Sequence, residues 1–148
     1  NMKLNPNLNQ KRKRRQGFTL VELLLVLVIL GILAAIVVPK FSGRAEQAKK
    51  TAAKTQISAF ETALNTFEVD NGYYPQGNDG LIDLIAQPQN ADNWHGPYLK
   101  DIPMDPWQGP YFYENPGKEN IAGFDIYSAG PDQRAGTEDD ITNWTTGN

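Results

Sequence analysis

The chain has 148 residues and a net charge of −3, from 14 basic and 17 acidic side chains. This length allows one membrane helix and one small domain, but not two separate hydrophobic cores. The sequence has no cysteine, which excludes disulfide bonds, thiol catalysis and cysteine-based zinc sites, so an exported domain must be held together by other means.

The charges are distributed unevenly along the chain. Residues 1–17 contain six basic residues and no acidic residue, and five of the six form the cluster at residues 11–15. The remainder has 8 basic and 17 acidic residues, a net charge of −9. This acidic balance argues against nucleic acid as a partner of the C-terminal region, because phosphate binding requires a basic patch.

Residues 18–38 are apolar except for Thr19, Gly31 and the charged Glu22. As a helix they span about 30 Å, the thickness of the hydrocarbon core of a membrane. The preceding basic cluster predicts that this flank stays in the cytoplasm and that the rest of the chain lies across the membrane. A secretory signal peptide is an alternative, but its apolar core is usually shorter and ends at a cleavage site with small residues.

Glu22 has two interpretations from the residues alone. A carboxylate near the end of a membrane span is either tolerated at the interface or retained for a partner. Further along the span, Gly31 and Pro39 are the weak points of the helix, because proline donates no hydrogen bond and crowds the preceding turn. The helix is therefore predicted either to kink there or to end at the membrane surface.

A helical pattern resumes after Pro39, with apolar residues spaced by three and four. Two consecutive stripes are predicted to face a small domain: Phe41, Ala45, Ala48 and Ala52, and then Ala53, Ile57, Phe60, Leu64 and Phe67. The helix is predicted to end near residues 70–72, where Asn71 and Gly72 provide a stop.

Residues 73–107 are rich in proline and aromatic residues and predict an irregular segment with a short helix at residues 81–85. Trp94, Tyr98 and Trp107 are predicted to fasten this segment over the long helix, although an aromatic groove for a sugar or peptide is an alternative. His95 is the only histidine. Without an evident partner, it is interpreted as a surface or packed loop residue.

The next segment predicts a β-hairpin. Residues 111–113 and 124–128 have the β-branched and aromatic character of strands, and residues 115–117 form a turn between them. A long helix followed by a hairpin predicts the α+β fold class.

An acidic loop follows at residues 129–141, with Asp132, Glu138, Asp139 and Asp140 within nine residues. Carboxylates with flexible backbone around them can surround a hard cation, although the EF-hand spacing is absent. Spacing alone slightly favours a solvated acidic loop over a cation site.

The N-terminal motif Gly17-Phe18-Thr19-Leu20-Val21-Glu22, between a basic leader and an apolar span, resembles the processing motif of type IV pilins and pseudopilins. The resemblance implies that a prepilin peptidase cleaves between Gly17 and Phe18 and that Phe18 becomes the N-methylated first residue. It also implies an assembly role for Glu22, whose carboxylate neutralises the new amine inside a filament, where an unpaired charge is costly. Glu22→Val is therefore expected to be inserted and processed but to assemble poorly.

The C-terminal region is similar to the major pseudopilin family of type II secretion systems. The matching pieces are Gly72-Tyr73-Tyr74-Pro75, Gly80-Leu81, Gly96-Pro97-Tyr98-Leu99, Asp105-Pro106-Trp107 and Asp125-Ile126-Tyr127-Ser128 running on to Trp144. Two stretches depart from the family pattern: Gln108 lies between Asp105-Pro106-Trp107 and the usual glycine, and residues 76–79 replace a threonine-rich loop.

This second resemblance implies a type IV pilin-like fold in which the long N-terminal helix packs on a small antiparallel sheet. The implied division is a cleaved basic leader at residues 1–17, a transmembrane and assembly helix at 18–39, and a periplasmic domain at 40–148. It also implies a structural calcium ion (Ca²⁺) in the C-terminal loop. Its implied ligands are the side chains of Asp132, Asp139 and Asp140, the backbone carbonyl of Ala129 and, as a weaker assignment, the backbone of Thr137.

The implied function is a structural subunit, not an enzyme, of the periplasmic pseudopilus that drives export of folded proteins. Its implied partners are further copies in a helical filament, minor pseudopilins, inner-membrane assembly proteins, the prepilin peptidase and the inner membrane, which the chain crosses once with its N-terminus in the cytoplasm. Two alternatives are a type IV or competence pilin, for adhesion or DNA uptake, and a membrane-anchored enzyme that uses the acidic cluster as a catalytic metal site.

Overall fold

A computed structural model describes residues 17–144, without the side chains of residues 39–41. The chain divides into two compact units, with the division between Phe41 and Ser42. The elements in order are a long helix α1 (Leu20–Asn71), a 3₁₀ helix (Gly80–Leu84) and the strands β1 (Tyr111–Glu114), β2 (Asp125–Ser128) and β3 (Ile141–Thr142). The predicted α+β class is confirmed.

The first unit contains the apolar part of α1. This part is long and apolar enough to cross a membrane, and none of its most apolar 18-residue window is buried. The large side chains from Leu20 to Val38 are all exposed. Removing apolar side chains from water lowers the free energy, so this surface is stable only with lipid or other helices around it.

In the second unit, one stripe of α1 forms the centre of the core. Ala53, Ile57, Phe60, Leu64 and Phe67 are all buried, as the spacing of three and four residues predicted. The prediction was wrong for the preceding stripe, because Ala45, Ala48 and Ala52 are exposed. Phe41 lies outside the described side chains. The small alanine side chains repeat with helical spacing, but none of the segments that the structure describes covers them.

The end of α1 agrees with its sequence signals. The helix ends at Asn71, and Gly72 adopts a positive φ of 81°. The Gly72 N–H donates to the Glu68 carbonyl over 2.7 Å, which satisfies one of the carbonyl groups left free at a helix end. Glycine adopts this left-handed conformation without the steric cost that a Cβ atom brings.

The sheet has the order β1-β2-β3, and both strand pairs are antiparallel. The predicted hairpin is therefore confirmed, with Tyr111 paired to Ser128 and Glu114 to Asp125. β3 was not predicted. It has only two residues, and the Asn143 side chain beside it accepts a hydrogen bond from the Ile126 N–H over 2.9 Å.

A buried carboxylate organises the hairpin loop. Asp125 is 3% exposed and accepts hydrogen bonds from the backbone N–H groups of Lys118, Glu119 and Asn120 at 2.7–2.9 Å. Burial of a charge is tolerated only when such partners replace water. Gly117 permits this approach, because a Cβ atom there would lie 2.6 Å from an Asp125 carboxylate oxygen.

The segment between α1 and β1 is fastened to α1 by aromatic side chains, as predicted. Tyr98 packs edge-on against Phe67, with ring centroids 5.6 Å apart, and Trp94 packs edge-on against Tyr98. The Trp107 indole N–H donates to the Glu46 carboxylate over 2.8 Å. The short helix is a 3₁₀ helix that begins at Gly80, one residue before the predicted start.

His95 lies at the surface, as predicted, but it has a partner. Its Nδ1 lies 3.7 Å from an Asp70 carboxylate oxygen, and its side chain is 74% exposed. The same Asp70 oxygen accepts a hydrogen bond from the Tyr98 hydroxyl over 2.7 Å. These contacts attach the loop to the end of α1.

The buried stripe of α1 leads to a stability prediction. Phe60→Ala should lower the free energy of unfolding by about 3–5 kcal/mol, because a fully buried ring leaves a cavity when it is removed. The measurement is denaturant unfolding of the full chain in detergent, followed by near-ultraviolet circular dichroism of the domain. Val69→Ala is the matched control on the same helix, since Val69 is 79% exposed. Its effect should stay within about 0.5 kcal/mol, and equal losses in the two variants would contradict the assignment of the core face.

Candidate functional site

The first candidate site is the start of α1. The Glu22 N–H donates to the Thr19 hydroxyl over 3.2 Å, and the Thr19 N–H donates to the Glu22 carboxylate over 2.7 Å. The Thr19 hydroxyl also donates to that carboxylate over 3.0 Å. This reciprocal pair is a capping box, which satisfies N–H groups that have no partner within the helix.

Thr19 was not among the predicted site residues, although its spacing to Glu22 is the sequence signature of a capping box. The structure therefore gives Glu22 a local role at the helix start, in addition to the predicted role in assembly. The two roles are compatible, because a carboxylate has two oxygens and several lone pairs. Gly17 and Phe18 lie just before α1 and are exposed.

The predicted weak points, Gly31 and Pro39, both lie within the bounds of α1. The kink there, the cleavage between Gly17 and Phe18 and the methylation of Phe18 stay predictions. The basic cluster at residues 11–15 lies outside the described residues.

The second candidate site is the acidic loop between β2 and β3. The Thr137 hydroxyl oxygen lies 2.5 Å from Asp139 Oδ1 and 3.2 Å from Asp140 Oδ1. It also lies 3.1 Å from the Arg134 carbonyl oxygen. Thr137 therefore brings the predicted ligands Asp139 and Asp140 together through its side chain. Its backbone carbonyl also accepts a hydrogen bond from the Asp140 N–H over 3.3 Å.

Asp132 approaches this cluster through its backbone. Its N–H donates to Asp139 Oδ2 over 3.2 Å, whereas its own carboxylate accepts a hydrogen bond from the Arg134 N–H over 2.8 Å. Within residues 17–144, no group of three or more acidic or histidine side chains is arranged to hold a metal ion. The structure thus unites two of the three predicted carboxylates and directs the third to the loop backbone.

The remaining predicted ligand, Ala129, lies at the buried edge of the same loop. Ala129 is buried, and Gly130 beside it has a φ of 66°. A Cβ atom at Gly130 would lie 2.3 Å from the Asp139 carbonyl oxygen, so only glycine allows this approach. The backbone two residues after β2 is therefore in close contact with the backbone of Asp139.

The Thr137 hydroxyl has more oxygen acceptors around it than it has protons to donate. One hydroxyl carries one proton, yet three oxygen acceptors lie within hydrogen-bond distance of it. Carboxylate, hydroxyl and carbonyl oxygens are the ligands that calcium prefers. The chemistry of the donor set therefore fits a calcium ion, although the carboxylates alone do not form a complete site.

The charge state of Asp139 agrees with this chemistry. The hydrogen bond from the Thr137 hydroxyl lowers the pKa of the Asp139 carboxyl, and the positive charge of Lys50 acts in the same direction. A lowered pKa favours the ionised carboxylate, which is the form that binds a cation.

Comparison with known proteins covers both parts of the chain. A model of a family described as "Type II secretion system (T2SS), protein G" matches residues 40–144. The chain belongs to this family. A second model, described as "Prokaryotic N-terminal methylation motif", matches residues 12–38. The resemblance inferred from the processing motif and the C-terminal pieces is confirmed.

Individual relatives of the protein G family match over nearly their whole length. The chain is 44% identical to the type II secretion system core protein G of Escherichia coli K12 over 135 residues, which are 88% of this chain and 92% of that protein. It is 45% identical to the Pseudomonas aeruginosa protein of the same name over 141 residues, 90% of this chain and 98% of that protein.

The fold is shared with a solved member of the family. The crystal structure of the major pseudopilin from the type 2 secretion system of enterohaemorrhagic Escherichia coli matches 72% of this chain and 91% of its own. The TM-score is 0.61 and the sequence identity is 35%. The predicted pilin-like fold, with a long N-terminal helix and a small antiparallel sheet, is confirmed.

The capping box allows the two roles of Glu22 to be separated. Thr19→Ala removes the threonine hydroxyl but retains the carboxylate, and should weaken the helix start by about 1 kcal/mol. Glu22→Val removes both the cap and the charge. We expect Glu22→Val to abolish filament assembly and Thr19→Ala to reduce it only partly, as measured by the amount of sheared filaments relative to membrane-inserted subunit. Equal losses would show that capping, not the charge of Glu22, controls assembly.

Proposed function

We propose that this chain is the major structural subunit of a periplasmic pseudopilus, the filament that drives export of folded proteins through a type II secretion system. The observation that supports this most is the pair of matches: a methylation motif at residues 12–38 and the protein G family at residues 40–144. The similarity to the core proteins G of Escherichia coli and Pseudomonas aeruginosa favours a secretion subunit over the alternative of a type IV or competence pilin.

The first stage of this function is insertion in the inner membrane as a precursor. The basic cluster at residues 11–15 holds the N-terminus in the cytoplasm, and the second unit lies in the periplasm. The prepilin peptidase then cleaves between Gly17 and Phe18 and methylates Phe18. Cleavage removes the basic residues before α1 and creates an amine at Phe18, at the head of a span whose only charged side chain is Glu22.

Assembly follows from the unburied surface of the apolar part of α1. Lipid covers this surface in the inner membrane, and the helices of neighbouring copies cover it in the filament. Transfer from lipid to a helix bundle brings little hydrophobic gain, so packing and polar contacts must favour assembly. The Glu22 carboxylate provides such a contact by neutralising the methylated amine of Phe18 on its own or an adjacent copy.

The acidic loop binds a structural calcium ion in this proposal. Asp139 and Asp140 hold it with their carboxylates, together with Thr137, Asp132 and the Ala129 carbonyl. The ion supplies positive charge to a loop in which the single Thr137 hydroxyl lies near three oxygen acceptors. It links the two ends of a segment that has no disulfide bond to close it.

The subunit acts by packing, not by catalysis. Partners expected for such a subunit are further copies, minor pseudopilins and inner-membrane assembly proteins. The net charge of −9 outside residues 1–17 gives the exported domain no general affinity for nucleic acid.

The processing and assembly steps are tested together by mass spectrometry. The chain is produced with the inner-membrane components of a type II secretion system, and sheared filaments are collected. We expect their subunits to begin at Phe18 and to carry one additional methyl group on the amine. In Gly17→Leu, the bulky side chain should block cleavage, and the precursor should stay in the membrane. Filaments built from subunits that retain residues 1–17 would contradict the proposal.

The calcium proposal is tested by thermal unfolding of the full chain in detergent, with calcium or with chelator. Calcium at 100 times its Kd stabilises a folded state by about 2.7 kcal/mol, which corresponds to a rise in Tm of roughly 10 °C for a domain of this size. Asp132→Ala and Asp139→Ala should lose this rise. Glu138→Ala is the matched control, because it removes an exposed acid from the same loop without removing a proposed ligand, and its Tm should still respond to calcium. A wild-type Tm that is equal in calcium and chelator would exclude the ion.

A further inference from the structure

Besides Asp125, a second carboxylate is buried in the domain. It belongs to Asp105, in the segment before β1. Asp105 is 3% exposed. Its Oδ1 accepts hydrogen bonds from the N–H groups of Trp107 and Gly109, over 3.0 and 2.7 Å. These bonds fold residues 105–109 into a tight turn around the carboxylate. They occupy only one of its two oxygens.

The other oxygen of Asp105 points at the end of β2. The hydroxyl of Ser128 donates to Asp105 Oδ2 over 2.5 Å, and Ser128 is fully buried. The same hydroxyl oxygen accepts a hydrogen bond from the Gly130 N–H over 3.1 Å. Because a carboxylate can only accept, Asp105 fixes the direction of the Ser128 proton and leaves a lone pair for Gly130.

The Gly130 N–H belongs to the same peptide unit as the Ala129 carbonyl. A peptide unit is planar, and in the trans form its N–H and C=O groups point in opposite directions. The bond from the Gly130 N–H to Ser128 therefore fixes the direction in which the Ala129 carbonyl points. That carbonyl is the backbone ligand of the proposed calcium ion.

The Cα of Gly130 is also held in place, by close contact with Asp139. Its Cα lies so close to the Asp139 backbone that no Cβ atom fits between them. Asp139 is the carboxylate that accepts hydrogen bonds from both Thr137 and the Asp132 N–H. A continuous set of contacts thus leads from Asp105 through Ser128 and Gly130 to the acidic loop.

A further contact joins the same two segments. The Gln133 side-chain amide donates to the Trp107 carbonyl over 2.9 Å, from within the acidic loop to the turn around Asp105. The turn at residues 105–109 is therefore attached to the loop at two places, through Ser128 and through Gln133.

We propose that Asp105 and Ser128 are positioning residues for the calcium site: Asp105 orients the Ser128 hydroxyl, which aims the Ala129 carbonyl at the ion. The inference rests on the proposed calcium site and adds two residues that are not ligands. Partners that orient metal ligands from behind are commonly worth a factor of 10–100 in affinity.

The experiment measures calcium affinity by isothermal titration of the full chain in detergent, after chelator has been removed. Ser128→Ala removes the acceptor of the Gly130 N–H but retains both backbone hydrogen bonds to Asp105. It should weaken calcium binding at least about tenfold. Asp105→Asn retains a side chain of the same size but offers Ser128 an amide donor in place of an acceptor. It should weaken binding in the same direction.

Asp125→Asn is the matched control. Asp125 is also 3% exposed, lies on the same strand as Ser128 and accepts three backbone hydrogen bonds, but its donors lie in the hairpin loop. It should lower the free energy of unfolding and leave the calcium Kd unchanged. Each variant is first shown to be folded by near-ultraviolet circular dichroism, so that the Kd refers to the native state.

The outcomes separate this inference from the calcium proposal itself. If the wild-type chain binds no calcium, both are wrong. If it binds calcium and Ser128→Ala binds with unchanged affinity, the ion stays and the positioning role is overturned. Equal loss of affinity in Ser128→Ala and Asp125→Asn would also overturn it, since the effect would then follow general destabilisation.

Discussion

The domain depends on the burial of one face of α1. Phe60 and Phe67 lie at its centre, and aromatic side chains from three later parts of the chain pack against them. Tyr111 of β1 packs edge-on against Phe60 with centroids 5.0 Å apart, and Tyr73 and Tyr98 pack in the same way against Phe67. Such contacts combine large buried areas with a favourable ring geometry. Because the chain has no disulfide bond, a loss on this face cannot be compensated by a covalent link.

Two buried carboxylates order the irregular segments that pack around the hydrophobic face. Asp105 and Asp125 each bring the backbone of an irregular segment into a tight turn, one before the sheet and one within its hairpin. A charge removed from water is costly, but three hydrogen-bond donors around each carboxylate replace the lost solvation. These two residues therefore order irregular backbone segments that lie outside the helices and strands. The exposed acidic loop has fewer donors for its charges, and this difference is what a cation would correct.

Sequence reasoning succeeded where the signal is local. The buried stripe from Ala53 to Phe67, the stop at Gly72 and the hairpin all follow from spacing or turn chemistry within a few residues. It failed for Ala45, Ala48 and Ala52, because periodicity shows that a helix has an apolar face but not what covers that face. β3 was too short to leave a pattern. The connection of Asp105 to Ser128 joins residues 23 positions apart, and only the folded chain brings them together. The capping box of Thr19 was readable from its spacing but was not predicted.

Trp107 connects the long helix α1 to the acidic loop. Its indole N–H donates to Glu46 on α1, and its carbonyl accepts a hydrogen bond from Gln133 in the loop. The residue is 8% exposed, so the packing around it, more than bulk water, determines its fluorescence emission. The chain thus contains a built-in optical reporter at the junction of helix and loop. With Trp94 and Trp144 replaced by phenylalanine, its emission would follow the state of the loop without any attached dye.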